Sequence, residues 1–453
     1  MRKQTIEEIY RINSMSRVKG LSVTNDSDGN TYVLGQFFMN MFAGNIYQEA
    51  TESAIFLAQI SPKGIWNWSN IIHEYSGPNN FTVSCEVIYH KGFLYSAIVV
   101  GNTGLVIKTN RGGSIQYSKT FTGGTLEPII RISVDKEGNA YIANSFTNSL
   151  VLDQTHHLIS QTKNGYVAKI SPSGVVLWVS SIESDNSDQT NLAGNQQGNN
   201  NVLNDIVTFR DGISYVVGRF TGTITVGNMI IEGKIGNPMD FLLAEIDTCG
   251  NWTRVKAFPN GEGTGIDGDK EGNLYVVGGF LNRFKLGGSV IESSGINLFV
   301  AKLDSDLMVD WVVSTKYDTD IANHLVNIVV DRDNNSYING FFNRPISFGN
   351  KILTPPETIG IDLNNQGGIQ MKSDCNSCNQ GGFMTSEFVA KLSARGSWKW
   401  SYQIDGSDST ANSKNISVNS EQHVWVTGGF SEKLSVLDNV EFTPKTALFL
   451  IKS

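Results

Sequence analysis

Charge is scarce in this chain. Asp, Glu, Lys and Arg make up only 17% of its 453 residues, so the surface must lean on Asn, Ser, Thr, Gln and Gly. Basic side chains number 35 against 43 acidic ones, a net charge of −8, and Lys and Arg form no dense cluster. A surface that tracks phosphates needs such an excess, so nucleic acid is not an expected partner. No stretch approaches the roughly 18 continuous apolar residues of a spanning helix, and no membrane span is expected. The opening MRKQTIEEIYRIN has basic residues but no apolar core, which is not the pattern of a secretory signal. Synthesis without classical secretion, or a place in a particle or on a surface, is the expectation left. Cysteine is rare too: Cys85, Cys249, Cys375 and Cys378 are too few and too scattered for a disulfide framework. Proline, at 10 against 46 glycines, favours many turns over rigid linkers. No G-x-S-x-G, H-E-x-x-H, P-loop or paired-histidine motif is present. Helical periodicity is missing as well, apart from a brief run in residues 4–12.

What the chain does have is self-similarity. One series reads NDSDGNTYVLGQF from Asn25, DKEGNAYIANSF from Asp135, FRDGISYVVGRF from Phe209 and DKEGNLYVVGGF from Asp269. It continues with DRDNNSYINGFF from Asp331 and NSEQHVWVTGGF from Asn419, and YHKGFLYSAIVV from Tyr89 is a degraded member. A second series follows at variable distance: FLAQISPKGIWNW from Phe56, YVAKISPSGVVLW from Tyr166, FVAKLSARGSWKW from Phe388 and their kin. Its last copy, ALFLIKS from Ala447, stops before the G-x-W half. Each series reads as a hairpin: alternating β-rich runs meet at a turn in which Asp accepts backbone hydrogen bonds and Gly supplies positive φ.

Two hairpins per unit make four antiparallel strands, the content of one propeller blade. The expected fold is therefore all-β: a seven-bladed β-propeller forming a single domain over residues 1–453. Blades would start near residues 19, 84, 129, 202, 264, 325 and 414, with an insertion at 355–386 in the sixth unit. Residues 1–18 would supply a closing strand and connector. About residues 6–14 should pair with Ala447–Lys452, complete the last blade and leave no open edge.

The pattern D-x-x-G-N-x-Y-V-x-G-x-F followed by F-V-A-K-L-x-x-x-G-x-W resembles the SBBP-type β-propeller repeat, over about residues 19–453. That resemblance implies a propeller scaffold, commonly in surface or secreted proteins, with no shared catalytic residues to carry over.

The turns within each hairpin are short and uniform. The other connections are long and varied, at 38–55, 69–83, 147–165, 180–202, 221–240, 343–387 and 402–414, and read as variable loops on one binding face. Within the longest, Asp374, Cys375, Cys378 and Asn379 are the candidate partner-binding loop. Cys375 and Cys378 could form a local disulfide, remain free thiols or give half of a zinc site, which needs further ligands. Asp26 and Asp28 form the turn best suited to calcium, yet a calcium loop wants about six to eight oxygen ligands and a closing Glu. A turn role is the stronger reading for all the D-x-x-G-N peptides. His156, His157, His324 and His423 stand without ligand-spaced neighbours. The recurring Trp residues at 66, 68, 178, 252, 311, 398 and 400 read as packing between outer strands. A ladder of polar residues, Gln59, Lys108, Lys169, Glu245, Lys302, Lys391 and Lys452, reads as structural. Acidic stretches at 183–189 and 317–323 read as solvated loops on the variable face.

The expected function is non-catalytic: a binding or scaffold module recognising a protein or glycan, without a cofactor. Two alternatives stand beside it. One is a structural component of a cell surface or virus particle. The other is a propeller hydrolase or lyase with Asp205, Asp267 and His324 at the channel mouth.

Overall fold

β-branched and aromatic residues fill the runs that the repeat marks as strands, and burial follows the pattern of sheets packed on both faces. In Leu274–Leu286 the first seven residues are all buried. The computed structural model describes residues 8–76, 83–185, 200–234, 239–317, 326–342, 344–356, 386–407, 415–437 and 439–453. Among them every regular element is a strand, and there is no helix.

The chain opens with β1 (Glu8–Ser14). Then β2 (Arg17–Asn25), β3 (Thr31–Ala43), β4 (Ile46–Ile60) and β5 (Trp66–Tyr75) pair antiparallel in chain order. β6 (Val83–His90), β7 (Phe93–Val100), β8 (Thr103–Asn110) and β9 (Ile115–Leu126) repeat that order. So do β10 (Arg131–Val134), β11 (Ala140–Val151), β12 (His157–Ile170) and β13 (Val176–Ser184). In the next set β14 (Asn200–Thr208) and β15 (Ser214–Thr221) are followed by a small hairpin, β16 (Thr223–Val226) and β17 (Met229–Glu232). β18 (Asp240–Ile246) and β19 (Trp252–Pro259) complete it. β20 (Gly261–Gly268), β21 (Leu274–Leu286), β22 (Ser289–Leu303) and β23 (Val309–Ser314) follow, then the short β24 (Lys316–Tyr317).

β25 (Asn327–Val330) and β26 (Ser336–Phe342) lead to a second small hairpin, β27 (Ile346–Phe348) and β28 (Lys351–Leu353). β29 (Ser386–Leu392) and β30 (Trp398–Ser407) finish that set. The last set is β31 (Ile416–Val418), β32 (Val424–Val436) and β33 (Asn439–Lys452). Its fourth strand comes from the other end of the chain. β1 lies antiparallel on β33, from Glu8 opposite Lys452 to Ser14 opposite Thr446.

Neighbouring sets pack face to face. Tyr32, Leu34 and Leu57 share one apolar cluster with Cys85, Ile98 and Leu105 of the following set. Val18, Val33 and Phe56 share another with Trp425, Leu448 and Leu450, so the last set packs on the first. The first strands of successive sets are neighbours, from β2 beside β6 through to β31, which lies beside β2 again.

Three of the stretches expected to be long loops are paired structure instead. Residues 38–55 lie in β3 and β4, 147–165 in β11 and β12, and 221–240 contain β16 and β17. In 38–55 and 147–165 the strand pair continues beyond a bulge as a hairpin arm, as do β21 and β22, with a positive φ at Met39 (65°), Asn148 (70°) and Asn282 (58°); in 221–240 the separate hairpin of β16 and β17 follows Gly222 at 68°. Each arm then folds across its own outermost strand. A Cβ placed on the arm-turn Gly44 would lie 3.5 Å from Trp66, and one on Gly227 3.2 Å from Trp252.

Candidate functional site

The D-x-x-G-N turns close on themselves. Asp135 accepts the Glu137 and Asn139 amides on one oxygen at 3.1 and 2.8 Å. Its other oxygen accepts Asn139 Nδ2 and the Tyr141 hydroxyl at 2.7 and 3.2 Å. Asp269 and Asp331 repeat the arrangement with Tyr275 and Tyr337. Asp26 does the same with Asn30 and Tyr32, and Arg111 of the next set completes it, donating to Asp26 at 2.7 Å and Asp28 at 2.6 Å. The cation facing these two acids is thus a guanidinium of this chain. Burial by itself would raise the Asp26 carboxyl, but bonds from Asn30 and Tyr32, the Asn30 amide and Arg111 outweigh it and hold the group below its ordinary value.

The polar ladder serves the same turns. Lys169 and Lys391 lie over the rings of Tyr141 and Tyr337 and within 3.8 and 3.7 Å of Asp135 and Asp331. Lys108 and Lys169 also donate to carbonyls of the following set, Pro172 at 3.0 Å and Thr248 at 3.4 Å. One set inverts the charges. Where three other sets have Asp135, Asp269 and Asp331 it has Phe209, and where they have Lys169, Lys302 and Lys391 it has Glu245, which pairs with Arg254 beside the Tyr215 hydroxyl. The acid has moved from turn to strand, and a cation has moved with it. The tryptophans form two rows. Trp68, Trp178, Trp311 and Trp400 stand opposite the ladder residues, and Trp66, Trp252 and Trp398 stand opposite Ile60, Ile246 and Leu392. Trp178 and Trp311 donate to Thr248 and Ala394 of the next set, at 3.0 and 3.1 Å.

The innermost strands are sheet edges, whose unpaired amides need partners. Side chains of the preceding inner strand supply them. Ser22 accepts the Val87 amide at 3.1 Å, Glu86 the Ile132 amide at 2.9 Å and Ser133 the Thr208 amide at 2.8 Å. Asp205 accepts the Ile266 amide at 2.9 Å and Asp267 the Val330 amide at 2.7 Å. Asn327 donates to Asn415 at 3.2 Å, and Ser417 to Asn25 at 2.8 Å, which returns the belt to β2. Arg131 is the largest fully buried side chain among the described residues. It lies 3.8 Å from Asp205 and donates across the centre to Asn327 at 3.5 Å. A pocket of about 140 Å³ between the inner strands is lined by Ser22, Thr24, Ser417, Glu86, Val87, Val329 and Ile416.

Of the acids offered for catalysis, Asp205 and Asp267 each tether the next inner strand through its amide. His324 lies outside the described residues, as do Asp374, Cys375, Cys378 and Asn379. His156 sits in an arm turn, where Asp153 accepts its amide at 2.8 Å, and His157 begins β12. Cys85 is buried and Cys249 exposed. Among the described residues no group of three or more His, Cys, Asp or Glu is arranged to hold a metal, and no helix is long and apolar enough to cross a membrane.

The arms were missed as a repeat, although they carry one. Each ends in an apolar pair at i and i+2 just before its turn: Met41 and Ala43, Leu150 and Leu152, Ile224 and Val226, Phe284 and Leu286, Ile346 and Phe348, Leu434 and Val436, all at most 3% exposed. Past the turn, Tyr47, Ile230, Val290 and Ile352 occupy one equivalent position at 49, 70, 42 and 63% exposure.

No family model and no curated protein matches the chain. Propeller-type structures among the solved proteins are similar at a distance. They include hydrazine synthase of Kuenenia stuttgartiensis, 11% identical over 76% of this chain and 73% of that one, TM-score 0.37. A member of the DUF4221 family from Bacteroides vulgatus is 11% identical over 99% and 97%, TM-score 0.38. Virginiamycin B lyase from Staphylococcus aureus is 12% identical over 73% and 95%, TM-score 0.30. These likenesses are too slight to bring any of those activities to this chain.

Proposed function

We propose that the four-stranded sets are seven blades of a propeller, of the kind the SBBP-type repeat implies, and that this propeller is a non-catalytic binding scaffold for a protein or glycan. The observation that carries the reading is how the inner acids are used. Glu86, Asp205 and Asp267 each hold an amide of the neighbouring inner strand, so carboxylates at the centre serve cohesion. The apolar side chains that face solvent recur on the arms instead, with Tyr47, Ile230 and Ile352 in equivalent places. Exposed apolar positions held on a rigid frame suit recognition. The partner surface is assigned to the arms together with the insertion at 355–386, which includes Asp374, Cys375, Cys378 and Asn379.

A glycan array and cross-linking in the producing cells identify the partner. Replacing residues 357–385 by a short Gly/Ser linker should leave the melting temperature in place and abolish that binding. Undiminished affinity in the shortened protein would remove the insertion from the site.

A further inference from the structure

In most grooves between neighbouring sets an arm lies along the outermost strand of the preceding set. β3 pairs with β1, β11 with β9, β16 with β13, β27 with β24 and β32 with β30. At β19 the arm is held by the Leu281 amide, which donates to the Asn260 carbonyl at 2.9 Å, and by Phe284 against Phe258. The groove after β5 differs. The set that follows has no arm: β7 and β8 join through Gly101 and Asn102 alone, with Val100 opposite Thr103. Among the described residues β5 pairs only with β4. The facing wall of the groove is β9, whose Ser118, Thr120 and Thr122 are exposed.

Up to the outer tryptophan the walls match those of a filled groove: Trp68 stands opposite Gln59 on β5 as Trp178 stands opposite Lys169 on β13, which pairs with an arm from Ile182 to Ser184. Beyond Trp68, β5 has a bulge at Ile72, which packs in the core shared with the following set. An outer edge of this kind offers unpaired amides and carbonyls, and strand addition is the general way such an edge is satisfied. The hydroxyls of β9 can serve polar side chains at the alternate positions of the incoming strand.

We propose that this groove binds an extended segment of a partner protein, added antiparallel to the distal half of β5. The segment's chemistry is that of the arm Ile224-Thr225-Val226-Gly227, an uncharged apolar-x-apolar run ending in Gly. The site is separate from the insertion at 355–386, so either assignment can fail without the other.

The probe is a synthetic peptide with the arm sequence TGTITVGNMIIEG, residues 221–233. Titrated into the full chain, it should bind saturably and slow amide exchange in residues 71–75 by about tenfold or more. Grafting residues 222–233 between Val100 and Thr103, in place of Gly101 and Asn102, should protect the same amides without peptide and abolish its binding. Thr120→Trp, which fills the groove from the β9 side, should abolish binding too and covers the case of a graft that does not fold. Absence of binding to the parent, or equal binding to the parent and the filled variants, would overturn the proposal. So would protection of β5 in the parent without peptide.

Discussion

Asp205 accepts the Ile206 amide on one oxygen and the Ile266 amide on the other, both at 2.9 Å, with the Arg131 guanidinium beside it. A carboxylate so placed ties two inner strands together and balances a buried charge. Asp205→Ala should therefore lower stability by about 3 kcal/mol, since it leaves the Ile266 amide without its acceptor and takes the negative charge from beside the buried Arg131 guanidinium. Asp205→Asn, which keeps an acceptor, should lose less. Urea unfolding reads both, and an unmoved midpoint for the alanine variant would contradict the tether. The turn acids were legible in the sequence because Asp135, Asn139 and Tyr141 act within six residues of one another. The tethers were not: Glu86 and Ile132 are 46 residues apart, and a polar residue in mid-strand carries no mark of its partner. The exchange of Asp and Lys for Phe209 and Glu245 was written in the sequence, but its meaning needed Arg254 in place.

The arms show the same limit for elements. Read along the chain, 38–55 and 221–240 break the two hairpin series and look like variable connections. In the structure they are hairpins whose buried faces close the rim between sets. The signal that could have found them is the apolar pair two residues apart, which recurs from Met41 and Ala43 to Leu434 and Val436 and is followed directly by Gly or Asp in all but the last. Gly227 makes the turn at φ 60°, and its added Cβ would meet Trp252 at 3.2 Å. Gly227→Val should cost about 1–2 kcal/mol through the left-handed backbone alone, and more if the arm lifts from Trp252. Chemical denaturation measures the loss, and exchange at Ile224–Val226 shows whether the arm has come away. Full stability with an undisturbed arm would mean the turn tolerates a side chain.

At the scale of the whole molecule, the two chain ends share one sheet. β1 lies between β33 and the arm of β3, with Ile12 fully buried and Tyr10 stacked on Trp425 at 6.1 Å. Removing residues 1–15 takes away Ile12, exposes the edge of β33 and frees the arm of β3. The truncated protein should lose more than about 3 kcal/mol and associate through the uncovered edge. Light scattering and the denaturation midpoint test this together; an unchanged midpoint would sink the closing role of β1. Pairing between Glu8–Ser14 and Thr446–Lys452 could be reasoned from the sequence, because the last repeat lacks its final strand and the first residues supply an orphan run.

The sequence by itself determined the strands, their turns and their repetition, because those depend on alternation and on hydrogen bonds that close within a few residues. Only the tertiary structure decided what the mid-strand polar residues hold, where the arms lie and which groove holds no arm among the described residues. Each of those contacts joins residues from neighbouring sets, tens of positions apart, and the geometry that brings them together exists only once the sheets have packed.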